Sequence, residues 1–578
     1  MELLKPFRKN FKLTLLTIAI LISFKGQSQN ISWLRQGLHT QATDNSLSTG
    51  VATDSLGNIY MVGYFKSSIS FGTTTLVSAG NYDIFVAKYD AMGTFQWAKR
   101  AGGTADDQAF GIAVSGNSVY ITGYIQRTAN FNTPSVTGSN EIVGIGGEDI
   151  FVAKYDILGT FQWAKRAGGI STDIGYAVSA TSSSVYISGT FLIAADFNSP
   201  SATGINEVKS AAFNDAFVAK YDASGNFQWV RRGGGTGSDL SYGVSAVGNA
   251  VYITGFFGST ANFNNPSVTG SNEIKSTNDL TTDIYIAKYD DAGIFKWAKR
   301  AGGNRNDLGY GIVASDNAVY ITGDIQVQAD FNTPSDSTRN VITTAGGSQD
   351  MFVAKYDNNG IFQWAKRAGS DTLDRSIGIA LTGNAVYISG YFNKTANFNS
   401  PSATGNNEIV SAGLEDIFIA KYDNLGTFKW AKRAGGVASD ISASIAVSAK
   451  SKLVFTCGVF SGIANFNTPS ASGSNELNST VNLGSAYLAA YSDILLSTHA
   501  PLSLNTKTSI RPTITEGVVT VTNQEARIDR ISVFNPFGQL ILSSISNNQI
   551  DLTDLPAGIY LVQVQAGNDL TVKKVFKK

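Results

Sequence analysis

Every tryptophan in the chain sits at one register of a repeat. The string Phe95-Gln96-Trp97-Ala98-Lys99-Arg100-Ala101-Gly102-Gly103 recurs in close copies, with tryptophans at 97, 163, 229, 297, 364 and 430. Trp33, in Ile31-Ser32-Trp33-Leu34-Arg35-Gln36-Gly37, is a degenerate seventh. Successive tryptophans are 64, 66, 66, 68, 67 and 66 residues apart. A period of that length excludes a single conventional core and requires a stacked or radial array of similar units.

Each period holds four strand-like runs. In the second they are Ala109–Val114, Ser118–Tyr124, Asp149–Tyr155 and the run bearing Trp163, separated by turns such as Ser115-Gly116-Asn117 and Asp156-Ile157-Leu158-Gly159. The runs are short, rich in β-branched and aromatic residues, and bounded by Gly, Asn and Asp. They are apolar on both faces, as stacked sheets require, and no stretch sustains a helical period. The ends complete each other: the Trp33 strand lacks three preceding strands, and the runs around 444–447, 453–459 and 486–491 lack a tryptophan strand after them. Joining them makes a seventh unit and removes the free sheet edges of an open array. The expected fold is all-β, a seven-bladed β-propeller of four-stranded blades closed between N- and C-terminal strands, over residues 30–493. The tryptophan strand is the outermost of each blade, so its ring is expected to pack between neighbouring blades while the adjacent Lys and Arg reach solvent along the rim.

The strings Asp-Ile-Phe-Val-Ala-Lys-Tyr-Asp (149–156), Val-Tyr-Ile-Thr-Gly (119–123) and Phe-x-Trp-Ala-Lys-Arg-Ala-Gly-Gly resemble the seven-bladed propeller repeat of secreted bacterial proteins. Departures fall in the closing unit, where Leu34-Arg35-Gln36 replaces Ala-Lys-Arg and Ala489-Ala490-Tyr491-Ser492 replaces Ala-Lys-Tyr-Asp. Residues 494–509 read as a linker. Residues 510–578 are similar to the C-terminal sorting domain of type IX secretion cargo, a small β-sandwich. The resemblance rests on Val533-Phe534-Asn535-Pro536-Phe537-Gly538, Asp554-Leu555-Pro556-Ala557-Gly558-Ile559-Tyr560 with Asp551-Leu552 before it, and the basic end Lys573-Lys574-Val575-Phe576-Lys577-Lys578. Arg511-Pro512-Thr513 stands where that family carries Pro-Asn-Pro. The resemblance implies export, passage through type IX secretion machinery as a partner, and a secreted or surface-attached product.

The N-terminus agrees with export. Lys5, Arg8, Lys9 and Lys12 precede the apolar run Leu13–Phe24, which reads as a signal peptide over residues 1–29. That run is shorter than the roughly 20 residues of a membrane span, so no transmembrane segment is expected in the mature chain. Charge is balanced, 44 basic against 44 acidic residues, which argues against nucleic acid as a partner. A single cysteine, Cys457, leaves no intramolecular disulfide; replacing the Thr of Tyr-Ile-Thr-Gly, it reads as a small buried strand residue.

Alternate connections of a four-stranded blade share a face, so the Gly-Gly loops and the long loops between second and third strands are expected together, with only tight turns opposite. Loops gathered on a rigid scaffold are where recognition concentrates. An aspartate recurs in each Gly-Gly loop, at Asp107, Asp173, Asp239, Asp307, Asp374 and Asp440, with Ser46 in the first copy. These are the candidate binding residues: a circle of carboxylates could hold a cation or sugar hydroxyls, or each could accept backbone hydrogen bonds within its own turn. The recurrent Asn130, Asp196, Asn262, Asp330, Asn397 and Asn465 beside Phe-Asn offer the same choice between loop anchoring and calcium. Gly233-Gly234-Gly235-Thr236-Gly237 lacks the Lys-Ser/Thr and helix of a phosphate loop.

Two histidines, His39 and His499, and no Cys-x-x-Cys leave no zinc pattern, and no cofactor is implied. A Ser-His-Asp triad would have to use one of them without a nucleophile-elbow string. Nearly every polar candidate is repeated, whereas an active site needs singular residues. The reading is a secreted or surface-displayed, non-catalytic binding or adhesion scaffold for an extracellular glycan or protein. The alternatives are a carbohydrate-active hydrolase or lyase with carboxylates near the central channel, or a structural surface component.

Overall fold

The structure, a computed structural model, describes residues 31–39, 44–132, 140–197, 206–264, 272–332, 340–398, 407–466, 475–479, 484–493 and 508–578, apart from short breaks at 513, 524–526, 536–539, 545–547 and 567–568. The expected signal peptide, most of the linker with His499, and the middles of the long loops lie outside the described residues. The chain separates into two compact units at Ile494/Leu495. No helix occurs among the described residues.

In the larger unit, consecutive strands zip into antiparallel sheets built on four strands, three of them extended by a short hairpin from the next unit. The first holds Asn45–Thr53, Ile59–Phe71, Thr74–Tyr89 and Phe95–Gly103; the next holds Gln108–Ser115, Ser118–Ile125, Asp149–Asp156 and Phe161–Ala167. The pattern continues from Ile174, Leu240, Leu308 and Arg375. In each, the tryptophan strand is the outermost of the four and the strand that follows a Gly-Gly loop begins the next sheet. A further sheet has strands Ile441–Ser448, Leu453–Phe460 and Ser485–Ser492, and its fourth strand is Ile31–Gln36 from the other end of the chain, with Trp33 opposite Ala490 and Gln36 opposite Tyr487.

The continuous apolar strands are explained by where the cores lie. Each hydrophobic cluster sits between two sheets rather than within one. Tyr60, Val62, Ile84 and Val86 of one sheet pack with Val119, Ile121, Phe151 and Tyr155 of its successor. The cluster on the other face of that first sheet unites Met61, Phe85 and Ala87 with Phe455, Cys457 and Leu488. Ser48 Oγ donates across the same junction to Gly458 O (2.8 Å) and Tyr487 O (3.0 Å).

Polar latches register neighbouring sheets. Trp97 Nε1 and Lys88 Nζ both donate to Ile157 O, in the turn between the last two strands of the next sheet, at 3.2 and 2.8 Å. Trp163 with Lys154 does the same at Ala223 O, Trp229 with Lys220 at Asp291 O, Trp297 with Lys288 at Asn358 O, and Trp364 with Lys355 at Asn424 O. Each lysine also lies over a tyrosine ring of its own sheet, 5.1 Å for Lys88 over Tyr60, a cation–π contact that holds the ammonium in place. The turn glycine follows from this contact. Gly159 has φ +81°, and a Cβ there would come within 2.9 Å of the Trp97 ring. The tryptophans thus pack between sheets, as their position suggests. The arginines beside them do not reach solvent along the rim, contrary to expectation from the sequence: Arg100, Arg166, Arg232 and Arg367 are buried.

The smaller unit is a two-layer β structure. Strands Thr508–Arg511, Val518–Asn523 and Gln549–Asp551 form one sheet; Ile514–Thr515, Asp569–Lys577, Gly558–Ala566, Arg530–Phe534 and Leu540–Ser544 form the other. Between them lie Val519, Val521, Ile531, Val533, Val562, Val564 and Val575, all buried.

Replacing Trp163 by Phe keeps most of the ring but removes the hydrogen bond to Ala223 O. The expected cost is about 1 kcal/mol in chemical denaturation. Gly159→Ala, which adds both a left-handed strain and a clash with Trp97, is expected to cost more than Trp163→Phe.

Candidate functional site

The end of the array carrying the Gly-Gly loops is built by two repeated devices. The first uses the candidate aspartates. Asp107 is fully buried; its Oδ2 accepts Gly103 N (2.7 Å) from the Gly-Gly loop and its Oδ1 accepts Gln126 N (3.1 Å) from the end of the second strand. Asp173 takes Gly169 N and Leu192 N, Asp239 takes Gly235 N and Gly258 N, and Asp307 takes Gly303 N and Gln326 N. Asp374 takes Ser370 N and Asn393 N, and Asp440 takes Gly436 N and Ser461 N. Each carboxylate therefore ties a loop to the strand edge beside it. Burial is the main influence on their acidity. It pushes Asp107 and Asp239 up to about 8, and Asp173, Asp374 and Asp440 up to about 7, against the lowering pull of the two amides. No group of three or more His, Cys, Asp or Glu able to hold a metal ion occurs among the described residues.

The second device was not singled out in the sequence. The arginine of each Lys-Arg pair reaches a buried aspartate 17 residues earlier: Arg100 to Asp83, Arg166 to Asp149 (2.8 Å), Arg232 to Asp215 (2.9 Å), Arg300 to Asp283 (2.8 Å), Arg367 to Asp350, and Arg433 to Asp416 (2.6 Å). The constant spacing was the available signal, reinforced by a joint loss: the closing sheet has Gln36 and Ser485 at the two positions. These pairs explain the first glycine of Gly-Gly. Gly168 has φ +142°, and a Cβ there would lie 2.5 Å from Asp149 Oδ1.

The Asn/Asp residues beside Phe-Asn anchor loops. The backbones of Asn130 and Asn262 pair with Gly102 and Gly234 of the preceding sheet. Their Oδ1 atoms accept the amide two residues on, Asn132 N and Asn264 N, both at 2.8 Å. This is the Asx turn, which fixes the loop start.

In the first copy, Ser46 Oγ accepts Ala486 N (2.9 Å) from the last strand and lies 2.8 Å from His39 Nε2. His39 Nδ1 faces Ser68 O at 3.0 Å, so Nδ1 carries the proton and Nε2 accepts from the serine. Asp44 Oδ2 is 4.0 Å from Nδ1, and burial lowers the histidine's pKa. Serine, histidine and aspartate thus meet, but all three side chains are sealed from solvent and span the junction between chain ends. Cys457 lies in the same buried region, its thiol pushed up to about 12.

A further departure from repetition lies on the inner strands. A one-residue bulge interrupts each, placing Thr49, Phe110, Tyr176, Tyr242, Tyr310, Ile377 and Ala443 at equivalent positions. Four consecutive aromatics make an arc, with ring centroids 5.6 Å apart for Phe110–Tyr176, 5.0 Å for Tyr176–Tyr242 and 5.1 Å for Tyr242–Tyr310. All four are half-buried. At the end of the arc, Arg375 Nε donates to Asp324 Oδ2 (2.6 Å), and its guanidinium lies 5.0 Å from the Tyr310 ring and 6.0 Å from Tyr391. Asp324 is fully buried and pushed up to about 6, chiefly by burial.

Residues 510–578 match the secretion system C-terminal sorting domain family. An uncharacterized WD repeat-containing protein of Acanthamoeba polyphaga mimivirus is 26% identical over 442 residues, covering 63% of this chain and 31% of that protein. The regulatory protein FlaEY of Caulobacter vibrioides is 24% identical over 354 residues, covering 57% of this chain and 35% of that protein. The chain therefore spans about a third of the length of these relatives. A solved structure described as the extracellular domain of a hybrid two component system from B. thetaiotaomicron aligns over 95% of this chain and 99% of that one at 10% identity, with a TM-score of 0.16. The chain is a secreted or cell-surface protein with a propeller-like repeat fold and a type IX sorting domain. Among the described residues no helix is long and apolar enough to cross a membrane.

Two outcomes test these devices. The loop aspartates keep their protons in the folded state to about pH 7–8 but lose them near pH 4 when unfolded, so the native state binds more protons between those limits. Stability must therefore fall as pH rises through that window. The thermal midpoint is expected to be higher at about pH 5 than at about pH 9, with a shallower slope in Asp239→Asn. Arg232→Met strands Asp215 in the core and is expected to cost about 3–5 kcal/mol. The double change Arg232→Gln with Asp215→Ser, the combination of the closing sheet, is expected to recover a large part of it in equilibrium unfolding.

Proposed function

We propose that the larger unit is a seven-bladed propeller closed between its terminal strands, and that it acts as a non-catalytic binding or adhesion scaffold for an extracellular ligand. Supporting closure are the pairing of Ile31–Gln36 with Ser485–Ser492, the shared core of the first and last sheets, and the bonds from Ser48 to Gly458 and Tyr487. Thr49 Oγ1 reaches Ala109 O (2.7 Å) of the next inner strand, so successive inner strands adjoin around an axis. A closed ring offers a rigid end face and leaves only the short outer edges of the blades.

The observation that carries the binding role is the division of labour on the Gly-Gly loop face. Its repeated polar groups are buried and committed to the backbone or to each other, while the departures from repetition outside the sheet shared by the chain ends gather on adjacent inner strands near the axis, from Phe110 to Arg375. Singular residues on a symmetric scaffold mark a ligand site. Hydrolysis by paired carboxylates needs a second acid some 5–9 Å from the first, and Asp324 is instead neutralised by Arg375.

The labelled, exported full-length protein is expected to bind a subset of an array of glycans and extracellular-matrix proteins without releasing products from them. Absence of all binding, or time-dependent release of cleaved fragments, contradicts the reading. Deleting residues 31–36 is expected to convert a protease-resistant unit into one cleaved progressively from the last sheet. Unchanged resistance contradicts closure.

A further inference from the structure

We propose that the aromatic arc is the ligand site of this scaffold and that it takes a neutral saccharide, one pyranose unit stacking against Tyr176 and Tyr242 while its hydroxyls accept from Arg375, which Asp324 holds in place. The inference rests on the binding-scaffold reading and specifies its ligand.

Four features assign the chemistry. The arc is discontinuous: Phe110, Tyr176, Tyr242 and Tyr310 occupy one side, and the equivalent positions opposite hold Ile377, Ala443 and Thr49. A symmetric plug of the axis would need large side chains on every strand, which Ala443 and Thr49 do not supply. The rings themselves are half-buried, so part of each remains accessible. Aromatic faces next to small side chains suit a flat, partly apolar ligand with polar edges, which is the character of a pyranose.

Arg375 and Asp324 supply the polar half. Both are singular. The other strands have Leu47, Gln108, Ile174, Leu240, Leu308 and Ile441 at the Arg375 position, and Asp324 is the single carboxylate at its own among Tyr64, Tyr124, Thr190, Phe256, Tyr391 and Val459. Arg375 spends only Nε on Asp324, and its two terminal nitrogens have no hydrogen-bond partner among the described residues although three-quarters of the side chain is covered. Asp324 is sealed from solvent and holds the guanidinium in place. Two nitrogens with unused donor capacity therefore stand beside the rings. Adjacent hydroxyls of one sugar can accept from both together. The pair is electrically balanced, which gives an anionic ligand little net attraction and favours a neutral one.

The test uses the exported full-length protein with three soluble neutral polysaccharides (laminarin, xyloglucan and galactomannan), two anionic ones (alginate and polygalacturonate), and matrix proteins, measured by affinity electrophoresis and calorimetry. At least one neutral polysaccharide is expected to bind. Tyr242→Ala is expected to weaken it tenfold or more and Arg375→Lys, which removes the planar fork, by a similar factor. Tyr242→Phe, which keeps the stacking face, is expected to stay within about threefold. Thermal melting checks that each variant folds; if Tyr242→Ala does not, Tyr176→Leu and Arg375→Lys decide. Neutral binding that survives these changes overturns the inference, as does failure of all three neutral probes. Arc-dependent binding of an anionic polysaccharide or a matrix protein overturns the saccharide class while leaving the binding scaffold standing. Failure of every probe contradicts both.

Discussion

At five of the junctions between sheets, one carbonyl oxygen carries the architecture. In the turn between the last two strands it receives an indole N–H and a lysine ammonium from the preceding sheet, as Ile157 O does from Trp97 and Lys88. Hydrophobic burial between sheets is large but non-directional, and the flat faces that supply it can slide. Two donors converging on one acceptor cannot, so the latch converts adhesion into register. The tryptophan repeat, the lysine of Ala-Lys-Tyr-Asp and the turn glycine are consequences of that one contact. The arginine three residues after the repeat tryptophan, as Arg166 is after Trp163, is buried for its own reason: it neutralises an aspartate that the third strand brings into the interior at the loop end of the sheet.

The sheet shared by the two ends of the chain departs from the repeat, as the proposed closure requires. Ala490 replaces the latch lysine, and Arg35 Nε instead donates to Gly93 O of the first sheet at 2.7 Å, a substitution matched internally by Arg231 at Gly293 O. The Arg–Asp pair gives way to Gln36 and Ser485, and the loop aspartate to Ser46 with His39. All three departures lie where strands distant in sequence must find each other. Buried ion pairs tolerate loss of both partners far better than loss of one, which fits their coordinated replacement.

Much of this was legible beforehand because period and alternation are written in residue types. The four strands per unit, the two-part closing sheet and the outermost place of the tryptophan strand could all be counted. The loop aspartates were found by recurrence, but recurrence does not tell a backbone clasp from a ring of ligands; only their burial and two amide partners do. The Arg–Asp pairs were missed because Lys-Arg was read as a solvent-facing pair, although a strand must turn one of two neighbours inward. The aromatic arc was invisible for a different reason. Its residues are defined by a bulge that shifts the register of each inner strand, and bulge positions follow from pairing rather than from composition.

The central claim is that the sheets form a ring with no free end, so that the strand contributed by Ile31–Gln36 is as secure as the other outermost strands. Native-state hydrogen exchange of the hydrogen-bonded amides of residues 33–36 measures this directly. The account predicts exchange with the same free energy as the hydrogen-bonded amides of residues 163–167, in the outermost strand of a sheet built from continuous chain. Exchange by local fraying, at a free energy several kcal/mol lower, would contradict it.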